Sequence, residues 1–216
     1  MKAGDGDSRY AKASSSQLNA IQAMKPILER AICENMRLKS NVGGIFRIAD
    51  FVCGFGNSTL VVVVTIVSAV KRSFEEHEMP EFELSHDKTQ MQVPESIQQG
   101  NSLHVYVSGD CEESVGAAYL HQFDIDFTAF LKARAEEIVD GGCMLIYLPG
   151  RNAGTHMKEE QGILGYLAHN VDCAFEELVN EVGIIEREKW ESFNIPYFGP
   201  NSREMESIVK REGSFA

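Results

Sequence analysis

The run from Phe46 to Val67, FRIADFVCGFGNSTLVVVVTIV, limits the possible folds more than any other part of the chain. Residues 45–53 are apolar except for Arg47 and Asp50, which predicts a buried strand. Gly54 and Gly56 follow, then Asn57-Ser58-Thr59, and then apolar residues for longer than one strand needs. Ser58 or Thr59 can cap a helix whose body is residues 60–70. A strand, a tight glycine turn and a helix N-terminus form the unit with which an α/β protein receives a nucleotide or nucleoside at the carboxyl end of its first strand.

The turn has two glycines, lacks the third of G-x-G-x-x-G and has no GK[ST], which argues against a pyrophosphate cradle. Asp50 inside the strand suits a cofactor without phosphate and with a positive centre. S-adenosylmethionine fits, since it carries a sulfonium and an α-ammonium. The alternative is a structural aspartate at a strand end. Cys53, beside the turn, reads as a small thiol packed beneath it rather than as a nucleophile.

Composition narrows the class. At 216 residues the chain can build one domain with a real core, or one domain and a fragment of another. A net charge of −12 argues against nucleic acid, whose phosphates need a basic footprint. Five cysteines, an odd number without C-x-x-C, read as reduced thiols of a cytoplasmic protein. No apolar leader opens the chain, and residues 60–70 are too short to cross a bilayer. The six histidines show no ligand spacing. His86-Asp87 and the pair Asp124/Asp126 come nearest to a metal site and read as solvated surface. There is no G-x-S-x-G nucleophile frame either.

In chain order, residues 1–16 are polar and glycine-rich and read alone as a disordered tail. Residues 17–39 carry helical spacing, with a possible kink at Pro26. Residues 71–83 are charged, residues 82–84 can start a second strand, and residues 85–100 read as loop. Leu103 to Val107 alternates as a strand does. Residues 112–139 form the clearest helix, ended by Asp140-Gly141-Gly142, and residues 143–148 read as a short strand. Residues 160–182 predict another helix, 193–200 an extended aromatic loop and 202–211 a short last helix. Helix, Gly-Gly turn and apolar strand again indicate an α/β sheet.

Four segments together resemble the plant SABATH family of S-adenosylmethionine-dependent carboxyl and N-methyltransferases. Residues 1–17, MKAGDGDSRYAKASSSQ, resemble the family's opening M-x-G-G-x-G-x-x-S-Y-A-x-N-S-x-x-Q. Residues 48–60, IADFVCGFGNSTL, resemble its cofactor motif I-A-D-L-G-C-S-S-G-P-N-T. Residues 118–151 resemble its long helix, G-G-x-M turn and following strand, and residues 184–215 its segment ending in G-S-F.

The resemblance implies a Rossmann-like methyltransferase fold, with helices on both faces of an incomplete sheet and a partial helical cap. Residues 1–44 would lie over the active site, residues 45–150 would form the cofactor-binding core, and residues 151–216 would be what remains of the substrate cap. S-adenosylmethionine would meet Tyr10, Ser14, Asp50, Cys53, Gly56, Asn57 and Asp87. Asp87 stands as the candidate second-strand acid for the ribose hydroxyls. Lys2 and Gln17 would face the substrate carboxylate, with Ile163 and Leu164 lining its pocket. No residue is expected to act as a catalytic base, because an ionised carboxylate is already a nucleophile.

Departures from the family pattern accompany the matches. Val52 replaces the first glycine of the cofactor motif, Phe55 a serine, and Asn57 the proline. Ala13 stands for the family's asparagine and Arg9 for its serine. Between Phe82 and Val93 almost all of the family's acidic N-D motif, adenine-holding G-S-F-Y segment and aromatic H-S-S-Y-S-L-H-W segment is absent. The expected function is therefore methyl transfer to the carboxylate of a small plant acid, weakened or lost through the missing segments. The alternative is a non-catalytic relative that is inert or pairs with an intact homologue. A homodimer is the other expected assembly.

Overall fold

The computed structural model describes residues 15–37, 45–51, 57–72, 81–87, 92–97, 101, 104–107, 111–138, 144–146, 148, 150–153 and 162–215. The chain divides into two compact units. The first comprises Met1–Thr89 with Gly141–Leu145, and the second Gln90–Asp140 with Ile146–Ala216.

The first unit is built from α1 (Ser15–Arg37), β1 (Ile45–Phe51), α2 (Asn57–Lys71) and β2 (Glu81–Asp87). β1 and β2 pair in parallel, from Ile45 opposite Glu81 to Phe51 opposite Asp87. Parallel neighbours need a crossover connection, and the chain passes from β1 to β2 through α2. The helix starts at Asn57, one or two residues before the expected cap. α1 runs on through Pro26. Its Leu28 and Ile32, one turn apart, bury themselves against Val62, Ile66, Ala69 and Val70 of α2. Burying each large aliphatic side chain is worth about 1.5–3 kcal/mol. Thr65 would be a liability on that apolar helix, but its hydroxyl donates to Val61 O at 2.7 Å.

The second unit is organised on α3 (Glu113–Glu137). Gly116, Tyr119, Phe123, Phe127, Leu131 and Arg134 are buried, and their spacing of three and four makes one helical stripe. The segment 193–200 meets the same residues. Phe198 lies 5.1 Å from Phe123 between ring centroids, and Tyr119 Oη donates to Ile195 O at 3.1 Å. α4 (Gly162–Asn180) and α5 (Arg187–Glu191) contribute Ala168, Val171, Phe175, Val179 and Trp190 to a second cluster around Val105. α6 (Ser202–Glu212) opens with a capping box between Asn201 and Glu204 and ends at Gly213. Gly213 has φ 82°, a conformation that glycine adopts without a Cβ penalty.

Two expected strands take another form. Residues 104–107 make a bend rather than a strand. The backbone N–H of Val105 donates to Asp172 Oδ1 at 2.8 Å, and its carbonyl accepts from Ile195 N at 2.7 Å. With both groups satisfied by distant residues, Val105 has none left for a ladder. Residues 144–146 and 148 likewise belong to no ladder among the described residues. In the stretch read as loop, β2 reaches Asp87 and a short 3-10 turn forms at Glu95–Ile97. α5 falls where no helix was expected.

Candidate functional site

The site begins at the carboxyl ends of β1 and β2. Asp50 is the Cα partner of His86, and Phe51 the partner of Asp87. The two acids singled out in the sequence therefore end neighbouring parallel strands, one register position apart. Asn57, the first residue of α2, follows β1 after five residues. A helix N-terminus brings unpaired backbone N–H groups, and parallel strands bring their open carboxyl edge. An aspartate near the end of each strand is a residue type that suits a cationic, hydroxyl-bearing nucleoside better than a phosphate. The donor set fits S-adenosylmethionine, with an ammonium to pair and ribose hydroxyls to accept from.

The other expected contacts divide by position. Lys2, Tyr10, Ser14, Cys53 and Gly56 lie outside the described residues. Gln17 falls in the first turn of α1, and Ile163 and Leu164 in the first turn of α4.

Of the acidic pairs, Asp124 and Asp126 are each engaged by other side chains or backbone of the second unit. Asp126 accepts from Gln92 N at 3.0 Å and from Gln122 Nε2 at 2.9 Å. Asp124 accepts from Thr128 and pairs with Arg211. No group of three or more metal-ligating side chains occurs among the described residues.

The sequence reading missed the residues that fix the aromatic segment of the second unit. Arg151, buried to nine-tenths, donates to Gly199 O at 2.6 Å, pairs with Glu204 and lies 5.2 Å above the Phe198 ring. Its backbone N–H donates to Pro200 O at 3.2 Å. Beside it, a Cβ on Gly150 would stand 2.4 Å from Pro200 O, so only glycine admits this approach. Glu204 shares its carboxylate between Arg151 and the Asn201 N–H of the capping box. The N-x-x-E spacing of Asn201 and Glu204 was legible as a cap, but nothing local announces Arg151 as its partner. Tyr106, Tyr119 and Tyr197 gather on the same segment, with Tyr106 5.4 Å and 6.3 Å from the other two rings. Burial pushes the phenol of each above its ordinary value, and for Tyr119 and Tyr197 the nearby Tyr106 adds to the rise.

Comparison with known proteins shows the family. A family model described as SAM dependent carboxyl methyltransferase matches residues 1–87 and 88–216. Loganic acid O-methyltransferase of Catharanthus roseus is 30% identical over 273 residues, covering all of this chain and 73% of that protein. Probable caffeine synthase 5 of Camellia sinensis is 39% identical over 115 residues, covering 53% of this chain and 30% of its own. A structure of loganic acid methyltransferase with SAH superposes with a TM-score of 0.87 at 28% identity, covering 98% of this chain and 75% of that one. The chain therefore belongs to the SAM-dependent carboxyl methyltransferases, the plant SABATH family, whose members use S-adenosylmethionine and whose fold it shares.

Proposed function

We propose that this chain binds S-adenosylmethionine at the carboxyl ends of β1 and β2 and transfers its methyl group, slowly, to the carboxylate of a small plant acid. The observation that carries the reading is the placement of Asp50 and Asp87 at the ends of adjacent parallel strands, just before the first turn of α2. In this reading Asp50 pairs with the ammonium end of the cofactor and Asp87 accepts from the ribose hydroxyls. Tyr10, Ser14, Cys53, Gly56 and Asn57 complete that side. Lys2 and Gln17 hold the acceptor carboxylate, and Ile163 and Leu164 form the apolar wall against its body. S-adenosylmethionine supplies an activated methyl group. The residues only need to desolvate and align the acceptor, and no base is required. Residues 1–44 act as the cover, 45–150 as the cofactor core and 151–216 as the substrate cap of a sheet with helices on both faces.

Slow transfer is supported by an internal gap. The family match breaks between Asp87 and Lys88, and the loganic acid relative aligns over 273 residues against the 216 of this chain. The break falls at the end of β2, where the family resemblance puts the adenine-holding and pocket-shaping segments. In-line transfer needs donor and acceptor about 3–3.5 Å apart, and a misplacement of about 1 Å can cost a hundredfold. The same gap favours the second reading, a non-catalytic chain that is inert or pairs with an intact homologue. We read the chain as cytoplasmic, which its odd count of cysteines without C-x-x-C supports, and we assign it a homodimer or that pairing as its assembly.

A radiolabelled methyl-transfer assay over loganic, salicylic, benzoic and jasmonic acids, run beside calorimetry with S-adenosylmethionine, separates these readings. Binding with turnover far below about 1 s⁻¹ is expected. Turnover of that order would overturn the slow-transfer reading. Binding without any transfer would leave the non-catalytic reading, and no binding would remove the site.

A further inference from the structure

We propose that the exposed face of α4 holds a two-donor site for a thiophilic divalent cation of the zinc class, formed by Cys173 and His169. Cys173 Sγ and His169 Nε2 stand 3.7 Å apart, one helical turn from each other. Zinc binds thiolate sulfur at about 2.3 Å and imidazole nitrogen at about 2.0–2.1 Å, and a tetrahedral angle between them sets the donors about 3.5 Å apart. The pair is thus already at the separation that the ion requires, and binding needs little rearrangement.

The helix holds the pair in that position. Ala168 is buried and Val171, Phe175 and Val179 pack into the core cluster, so the opposite face, with His169 and Cys173, meets solvent. Asp172 is occupied: it accepts from Val105 N and bonds His104 Nδ1 at 3.1 Å. It anchors the helix instead of competing for the ion. Of the other cysteines among the described residues, Cys111 is buried and Cys33 is half-buried, whereas Cys173 is exposed. Among the described residues no third acid, histidine or cysteine completes a larger cluster there. In this proposal water takes the remaining coordination positions. The net charge of −12, with Glu176 and Glu177 exposed in the next turn, raises the local concentration of cations. Binding takes the sulfur as thiolate and releases its proton to solvent, and it takes the imidazole neutral, so acidification weakens it. The site is independent of methyl transfer and of the cofactor-binding residues.

Cobalt(II) is the probe, since it takes the same donors and its bond to sulfur gives a charge-transfer band in the near ultraviolet. Titration of the full chain, kept reduced by a phosphine, should develop that band, and zinc should abolish it. Cys173→Ser should remove the band. His169→Ala should weaken cobalt binding at least about tenfold through loss of the second donor. Zinc should also slow alkylation of Cys173 by iodoacetamide, mapped by mass spectrometry. Both side chains are exposed, so far-ultraviolet circular dichroism of the variants should match that of the parent and separate lost binding from lost fold. A band that survives Cys173→Ser, an affinity unchanged by His169→Ala, or alkylation indifferent to zinc would overturn the proposal.

Discussion

Asp50 and Asp87 owe their placement to main-chain pairing of two parallel strands, whereas Tyr119, Phe123 and Phe198 owe theirs to side chains that fill one another's space. The first arrangement tolerates changes of side chain, because the ladder is made of backbone groups. The second does not, because its carbonyls at Ile195, Gly199 and Pro200 are bonded by Tyr119 and Arg151 and its buried rings pack against one another. A substitution at a candidate site residue should therefore change binding with little loss of stability. One in the aromatic assembly should do the reverse.

The largest expected effect is on that assembly. Phe198 is 2% exposed, and Phe198→Ala should cost about 3–5 kcal/mol, since the cavity cannot close around fixed backbone. Urea unfolding measures it, and a loss below about 1 kcal/mol would break the comparison, because the segment would then not depend on its rings. Arg151→Ala comes next. It leaves Gly199 O and the Glu204 carboxylate short of a charged donor, a loss of about 1.5–3 kcal/mol on the same measurement. Arg151→Lys should recover only part of it, since an ammonium cannot reach both partners in the plane of a guanidinium or stack on Phe198.

A smaller effect is pH-dependent. The phenols of Tyr106, Tyr119 and Tyr197 are raised in the folded chain, chiefly by burial. The folded state then holds its phenolic protons more tightly than the unfolded state. Their contribution is fully present below the ordinary tyrosine value of about 10 and is lost as pH rises above it. Stability should fall through the alkaline range, and Tyr119→Phe should flatten that fall while costing about 1 kcal/mol at neutral pH for the bond to Ile195 O. An alkaline limb of the same slope in the variant would mean that Tyr119 is not among the groups responsible.

The same contrast explains what could be read from the sequence. β1 announced itself by an apolar run, and α3 by a stripe of three- and four-residue spacing, because both signals are local. The apolar alternation around Val105 suggested a strand for the same local reason. Its backbone groups are claimed by Asp172 and Ile195, far along the chain, and no local pattern shows that. Arg151 was invisible likewise, since its partners Gly199 and Glu204 come about fifty residues later. Within the candidate site, Asp50 was legible from its strand and turn. The position of Asp87 beside it depends on the register of β1 with β2, which only the fold supplies.

The central claim is that the strand ends around Asp50 form the seat of S-adenosylmethionine. Calorimetric titration of the parent chain and of Asp50→Asn with S-adenosylmethionine tests it most directly. The substitution keeps size, replaces one acceptor oxygen by an amide donor and removes the charge that pairs with the ammonium. Affinity should fall more than about tenfold, a loss of roughly 1.4 kcal/mol or more, while thermal unfolding without ligand stays unchanged. Equal affinity in the two proteins would take Asp50 out of the site and contradict the account.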